Sequence, residues 1–115
     1  MASQYDITIE QGATFLRTVT WRDSLGALIN LSGYTARMQV RAKKSSDVVL
    51  VEANTTNGYI VLGGAAGTIA ITIPAAITAP LSFVNGVYDL EVVSGGGIVT
   101  RLLEGGVELS KEVTR

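Results

Sequence analysis

Leu31-Ser32-Gly33-Tyr34-Thr35-Ala36-Arg37-Met38-Gln39-Val40-Arg41 is the stretch whose reading decides the fold. Ser32-Gly33 is a turn signal, and it releases eight residues of strict alternation. Tyr34, Ala36, Met38 and Val40 fall on one side, and Thr35, Arg37, Gln39 and Arg41 on the other. A period of two describes a strand with one buried and one wet face. Such a strand needs a second layer over its apolar side, and the sequence on both flanks supplies one.

Upstream, Asp23-Ser24-Leu25-Gly26 places Asp first and Gly last, as a type I turn prefers, and leads into the short run Ala27 to Ile29, which predicts a hairpin. Before it, Phe15, Val19 and Trp21 share a face, opposite Leu16, Thr18 and Thr20. Arg17 interrupts the apolar row. Either a bulge shifts the register there or the guanidinium reaches the rim on its aliphatic stem, and the second is expected. At the start, Tyr5, Ile7 and Ile9 alternate with Asp6, Thr8 and Glu10 until Gln11-Gly12 turns the chain.

Downstream, Ala42-Lys43-Lys44-Ser45-Ser46-Asp47 is the most polar stretch and reads as an exposed loop. Val48 to Val51 resumes a strand, and Asn57-Gly58 is a strong hairpin signal before Tyr59 to Leu62. Gly63 to Gly67 predicts a small-residue turn. Ile69, Ile71 and Ile73 then alternate with Thr68, Ala70 and Thr72 until Pro74. Pro74 to Ala79 is the one plausible helix, with Pro in its first turn and Pro80 limiting its length, so a short helical crossover near 75–81 is expected. Asn85-Gly86 opens Val87 to Val93. Gly95-Gly96-Gly97 turns into Ile98 to Leu103, and Gly105-Gly106 reads as a further turn into Val107 to Val113. Eight or nine short strands with turn chemistry between them predict an all-β protein, an antiparallel sandwich or barrel. No internal repeat or linker is visible, and 115 residues predict one domain over 1–115.

Composition narrows function by exclusion. Hydrophobic residues make up 47% and charged residues 17%, which suits a folded core. Nine Lys or Arg against ten Asp or Glu leave a formal charge of -1, so no global field draws the chain to nucleic acid or an anionic membrane. Without cysteine there are no disulfides, thiolate nucleophiles or Cys-type zinc sites. Without histidine there is no Ser-His-Asp catalysis and no imidazole ligand. The opening residues lack a basic and an apolar signal region, and no apolar run reaches the roughly 18 residues of a membrane span.

The remaining motifs have plain readings beside the chemical ones. Gly63-Gly64-Ala65-Ala66-Gly67-Thr68 lacks the Lys and the helix of a phosphate loop, so it is expected to be a turn. Asp89 and Glu91 share a strand face roughly 7 Å apart, a spacing that invites a carboxylate-pair reading, but a solvated face opposite Tyr88, Leu90 and Val92 explains them. Asp6, Glu10, Asp23 and Asp47 show no calcium-loop spacing. Arg37, Arg41, Lys43 and Lys44 form the local positive cluster, without the aromatics of a nucleic-acid platform, which leaves an exposed face or a salt-bridging protein contact. Trp21, Tyr34, Tyr59 and Tyr88 are expected as core pieces with polar tips, and one tyrosine as the cap of a corner. The apolar segment from Ala75 to Val84 folds either onto an open sandwich end or under another subunit.

Gly12-Ala13-Thr14-Phe15, Trp21-Arg22-Asp23, Leu31 to Arg41, Gly67-Thr68-Ile69, Ile73-Pro74-Ala75, Tyr88-Asp89-Leu90-Glu91, Arg101-Leu102-Leu103-Glu104-Gly105 and Glu112-Val113-Thr114-Arg115 together resemble small structural proteins of tailed bacteriophages, over nearly the whole chain. The chain is also similar to the amino-terminal immunoglobulin-like domain of phage upper baseplate proteins, where that domain precedes a receptor-binding fibre. Residues 1–115 contain no fibre or receptor-binding segment, a departure from that pattern that speaks against the adaptor role as the first expectation. The resemblance implies an immunoglobulin-like antiparallel β-sandwich and a non-enzymatic virion structural protein, assembled in the host cytoplasm and present in many copies or as a homo-oligomer. The expected role is a capsid decoration or cement subunit that binds the major capsid protein. The alternatives are a tail, collar or baseplate accessory that attaches fibres, and a module that binds host-surface carbohydrate, for which Tyr59 near Asn57 and Tyr88 near Asn85 are the aromatic candidates. No cofactor, metal, nucleic acid or membrane enters this expectation. Its candidate contacts are Ala2, Ser3, Gln4, Arg41, Lys43, Lys44, Ile77, Leu81, Phe83, Lys111 and Arg115.

Overall fold

In the computed structural model, residues 2–114 are described. Among the described residues nine strands and two helical turns follow one another: β1 (Ser3–Gln4), β2 (Ile7–Glu10), β3 (Phe15–Thr20), β4 (Thr35–Arg41), β5 (Val51–Asn54), β6 (Ile60–Leu62), a 3-10 turn (Gly64–Ala66), β7 (Thr68–Ile73), α1 (Ala75–Thr78), β8 (Asn85–Val93) and β9 (Val99–Ser110). One sheet runs β1-β9-β8-β4-β5, with β2 also on β9, and the other runs β3-β7-β6. This division of strands, with β4, β8 and β9 facing β3, β6 and β7, is an immunoglobulin-like sandwich. β4, the strand of strict alternation, lies inside the larger sheet between β8 and β5.

The two-residue period explains the core. Ala36, Met38 and Val40 of β4 point inward beside Tyr88, Leu90 and Val92 of β8 and Val51 and Ala53 of β5. Ile60, Ile69, Ile71 and Ile73 answer from the opposite sheet, and Ile7, Ile9, Val107 and Leu109 close one flank. Immunoglobulin domains of antibodies carry a disulfide and a strand-C tryptophan in this space. Here aliphatic side chains and Met38 fill it. Trp21 instead stands past the end of β3, edge-on to Tyr34 with ring centres 6.2 Å apart.

Several boundaries differ from the sequence expectation. Val99–Ser110 is one strand through Gly105-Gly106, which is no turn. A Cβ on Gly105 would strike the Tyr5 carbonyl, so this glycine marks a close approach of two backbones. The fifth strand begins at Val51 and leaves Val48 exposed. Asn57-Gly58 does turn, with Gly58 at φ 82°, but it carries the chain from one sheet to the other because β5 and β6 belong to different layers. The Asp23 turn forms, with its carboxylate accepting from the Leu25 and Ala27 amides at 2.9 and 3.0 Å, yet the hairpin beyond it shrinks to the single bridge of Arg22 with Leu28. The helix is one turn, shorter than 75–81.

The sandwich is antiparallel except at one edge, where β1 and β2 run parallel to β9. Ser3 pairs Leu103, Gln4 pairs Glu104 and Ile7 pairs Val107, one unbroken register, so β1 and β2 are a single edge strand interrupted at Tyr5-Asp6. Three contacts hold that interruption: the Tyr5 amide donates to the Glu104 carbonyl at 2.8 Å, the Gly106 amide donates to Asp6 Oδ1 at 2.9 Å, and the Tyr88 hydroxyl donates to the Tyr5 carbonyl at 2.5 Å. Tyr88 thus braces the break in this edge strand rather than capping a corner.

Candidate functional site

The outer face of the six-stranded sheet collects the charged half of the alternation. Arg37 of β4 reaches Glu91 of β8, Nε to Oε1 at 2.9 Å. Arg101 of β9 lies between carboxylates, 3.4 Å from Asp89, 3.7 Å from Glu91 and 3.5 Å from Glu104. The pair of carboxylates on β8 is therefore spanned by a guanidinium, which offsets part of their mutual repulsion. Arg41 donates to the Gln39 side chain at 2.8 Å and to the Ser46 carbonyl at 2.7 Å, which folds the start of the polar loop back over the sheet. The loop brings Lys44 within 3.7 Å of Glu104.

That fold-back joins residues far apart in sequence. Gln39, Arg41, Lys44, Asp89, Arg101 and Glu104 line a shallow hollow of about 230 Å³ over β4, β8 and β9. Next to it, Gln4, Lys44 and Glu104 line a second hollow with Gly105 and Gly106. The amino-terminal candidate Gln4 and the basic candidates Arg41 and Lys44 thus border these two hollows beside Glu104, while Ser3 pairs Leu103 on the other face of the strand and Lys43 stays exposed on the loop. Sequence reading had Arg37, Arg41, Lys43 and Lys44 as one cluster and the amino-terminal segment as another; the β1 to β9 pairing that brings Gln4 beside Lys44 is a tertiary fact.

Asp89 feels this setting. Partial burial raises its pKa above the ordinary carboxylate value, Glu91 and Glu104 push in the same direction, and Arg101 and Lys44 oppose. Asp6 moves the other way, because the Gly106 amide and the Gln4 side chain both donate to its carboxylate. Tyr88 is raised to about 12, chiefly by burial. No group of three or more Asp or Glu could hold a metal ion among the described residues.

The other candidates form a second cluster at the opposite end of β9. Ile77, Leu81 and Phe83 are half-buried and pack against the core, so the apolar crossover folds onto the sandwich end and leaves Val84 outside. Thr78 anchors it: its buried hydroxyl donates to the Ala13 carbonyl at 2.8 Å and accepts from the Gly12 amide at 3.1 Å. Gln11 donates to the Leu81 carbonyl at 2.8 Å, and Lys111 to that of Ser82 at 2.8 Å. Ala2 is half-buried ahead of β1, and Arg115 lies outside the described residues. Of the aromatic candidates for sugar stacking, Tyr88 is buried and Tyr59 packs in part against the core. Sequence reading missed Gln11 and Thr78 as clamps, since a polar residue in a turn gives no sign of what lies across from it.

No protein-family model matches the chain, and no curated protein matches it in sequence. Among solved structures, it is similar to one from a photo-crosslinking study of multimeric cell-adhesive interactions of VGSC beta subunits, at 13% identity over 96% of this chain and 93% of that one, with a TM-score of 0.49. It is also similar to extracellular domains 3-5 of Drosophila OTK, at 15% identity and a TM-score of 0.36, over 96% of this chain and 33% of that one.

Proposed function

We propose that this protein is a non-enzymatic structural subunit of a tailed-phage particle, a decoration or cement module that adheres to neighbouring virion proteins through the outer face of its six-stranded sheet. The observation that carries the reading is the joining of Gln4, Arg41 and Lys44 beside Glu104 on a broad strand surface. Side chains on packed strands are held in place, and a face of alternating cations and carboxylates is suited to select a complementary protein surface by charge. The sequence resemblance supplies the particle. The absence of histidine and cysteine, and the engagement of Asp89 and Glu91 in ion pairs with Arg101, support a binding role over a catalytic one. A modest contact repeated over a lattice gains strength from valency.

The test is rebinding to particles of the encoding phage that lack this subunit. The wild-type chain is expected to sediment with them, and Arg41→Glu with Lys44→Glu is expected to lower retention by about tenfold at physiological salt. Equal retention of the variant refutes this face as the contact. Failure of the wild type to bind particles, together with specific binding to host glycans, refutes the structural role.

A further inference from the structure

We infer that the Asn57-Gly58 turn is a self-modification site: the Gly58 amide nitrogen closes on the Asn57 side chain and expels ammonia, and water then opens the ring to aspartate or isoaspartate. The inference does not rest on the virion reading.

Asn57 and Asn85 precede glycine, whereas Asn30 and Asn54 precede Leu31 and Thr55, whose Cβ atoms crowd such a ring. Glycine puts no Cβ in the path of its own nitrogen, so both Asn-Gly pairs are open to this chemistry by sequence. The structure separates them. Asn85 opens β8, where the Leu109 amide donates to the Val84 carbonyl at 3.0 Å and so fixes the ladder phase: Gly86, opposite Val107, directs its amide to β9. That nitrogen is committed to a sheet hydrogen bond, and Gly86 is buried. Asn57 and Gly58 are exposed, Gly58 sits at φ 82°, and its amide has no hydrogen-bond acceptor among the described residues.

The Asn57 side chain is also prepared for attack. Its Oδ1 accepts from the Asn54 amide at 3.0 Å and from the Tyr59 amide at 3.0 Å. Two backbone donors on one carbonyl oxygen draw electron density from Cγ and stand where negative charge develops as the nitrogen adds, the arrangement that stabilises a tetrahedral acyl-transfer intermediate. The turn holds this orientation through the Asn57 amide, which donates to Asn54 Oδ1 at 2.7 Å, and through Asn57 Nδ2, which donates to the Glu52 carbonyl at 3.1 Å. The atoms balance. The bond from Gly58 nitrogen to Cγ forms as that nitrogen loses its proton, the bond from Cγ to Nδ2 breaks, and Nδ2 leaves as ammonia with the proton. Water then splits one of the two carbon–nitrogen bonds of the ring, and no oxidant or cofactor enters. The aspartate product lacks the donor to the Glu52 carbonyl and sets a carboxylate beside it, in the turn that carries the chain from one sheet to the other.

The test is incubation of the wild-type chain at mildly alkaline pH, folded and in guanidinium chloride, followed by mass mapping. Each conversion adds about 1 Da and one negative charge. Cleavage after Tyr59, Phe83 and Tyr88 puts Asn57 and Asn85 in different peptides. In the folded chain Asn57 is expected to convert about tenfold faster than Asn85; unfolding is expected to raise the Asn85 rate about tenfold and the Asn57 rate by less than about twofold. Asn57→Gln is expected to abolish the early acidic form on isoelectric focusing, and Asn85→Gln to leave it. Equal conversion of the two sites in the folded chain overturns the inference. So does an Asn57 rate that gains as much from unfolding as the Asn85 rate, because the turn would then protect its amide rather than prepare it.

Discussion

Tyr88 shows how one side chain serves both the core and the sheet edge. Its ring belongs to the core row of β8, and its hydroxyl meets the Tyr5 carbonyl at the break in the edge strand. Tyr88→Phe is expected to lower stability by about 1 kcal/mol at neutral pH, read from urea unfolding. The pH dependence has a definite sign. The folded phenol titrates near 12 and the reference phenol at 10.0, so the hydroxyl's contribution is full below pH 10 and is lost as pH rises toward 12. The gap between wild type and Tyr88→Phe is therefore expected to narrow over that window, and a constant gap would refute the burial that raises the phenol's pKa. Asp6 has the opposite sign. Its lowered pKa gives stability above the reference value of 3.8 that fades as the folded carboxylate is protonated, so the melting-temperature difference between wild type and Asp6→Ala should close in acid. Thr78→Val keeps the volume and removes a buried hydroxyl that serves Gly12 and Ala13, and should cost about 1 to 3 kcal/mol with an unchanged denaturant slope.

At the scale of elements, β9 is the strand that the sequence divided and the fold kept whole. Gly105 and Gly106 looked like a turn because glycine usually marks one, but here the missing Cβ makes room for the Tyr5 backbone. Gly105→Ala is expected to lift Tyr5 from β9 and to cost about 1 to 3 kcal/mol, with faster amide exchange at Tyr5 and Gly106 while Leu90 and Val92 stay protected. Uniform acceleration across both sheets would contradict a local role. β3 makes the converse point. Arg17 sits in its apolar row without a bulge, since the β3 to β7 register runs unbroken from Phe15 to Thr20, and its cation rests on Tyr5 at the rim. The alternation Leu16, Thr18, Thr20 was legible from residues alone. That these residues border an open edge was not, because an edge is defined by which strand fails to arrive.

Across the whole molecule, the two faces of the sandwich differ in kind. One carries a network of paired charges, and the other carries threonine and aliphatic side chains. Exposed ion pairs contribute little to stability, so raising NaCl to about 1 M is expected to shift the melting temperature by no more than about 2 °C, while it weakens attachment through the charged face. The sequence by itself determined the β class, the identity of β4 as a strand with one buried face, most turns and the inward rows, because these follow from a period of two and from the local needs of glycine, proline and asparagine. It also determined the lack of thiol and imidazole chemistry. Only the tertiary structure decided that β1 and β2 form one parallel edge on β9, that the polar loop lays Lys44 beside Glu104, that Thr78 and Gln11 clamp the crossover, and that β3 is left open. Each of these joins residues distant in the chain, and periodicity carries information about which face a residue takes but none about which strand lies beside it.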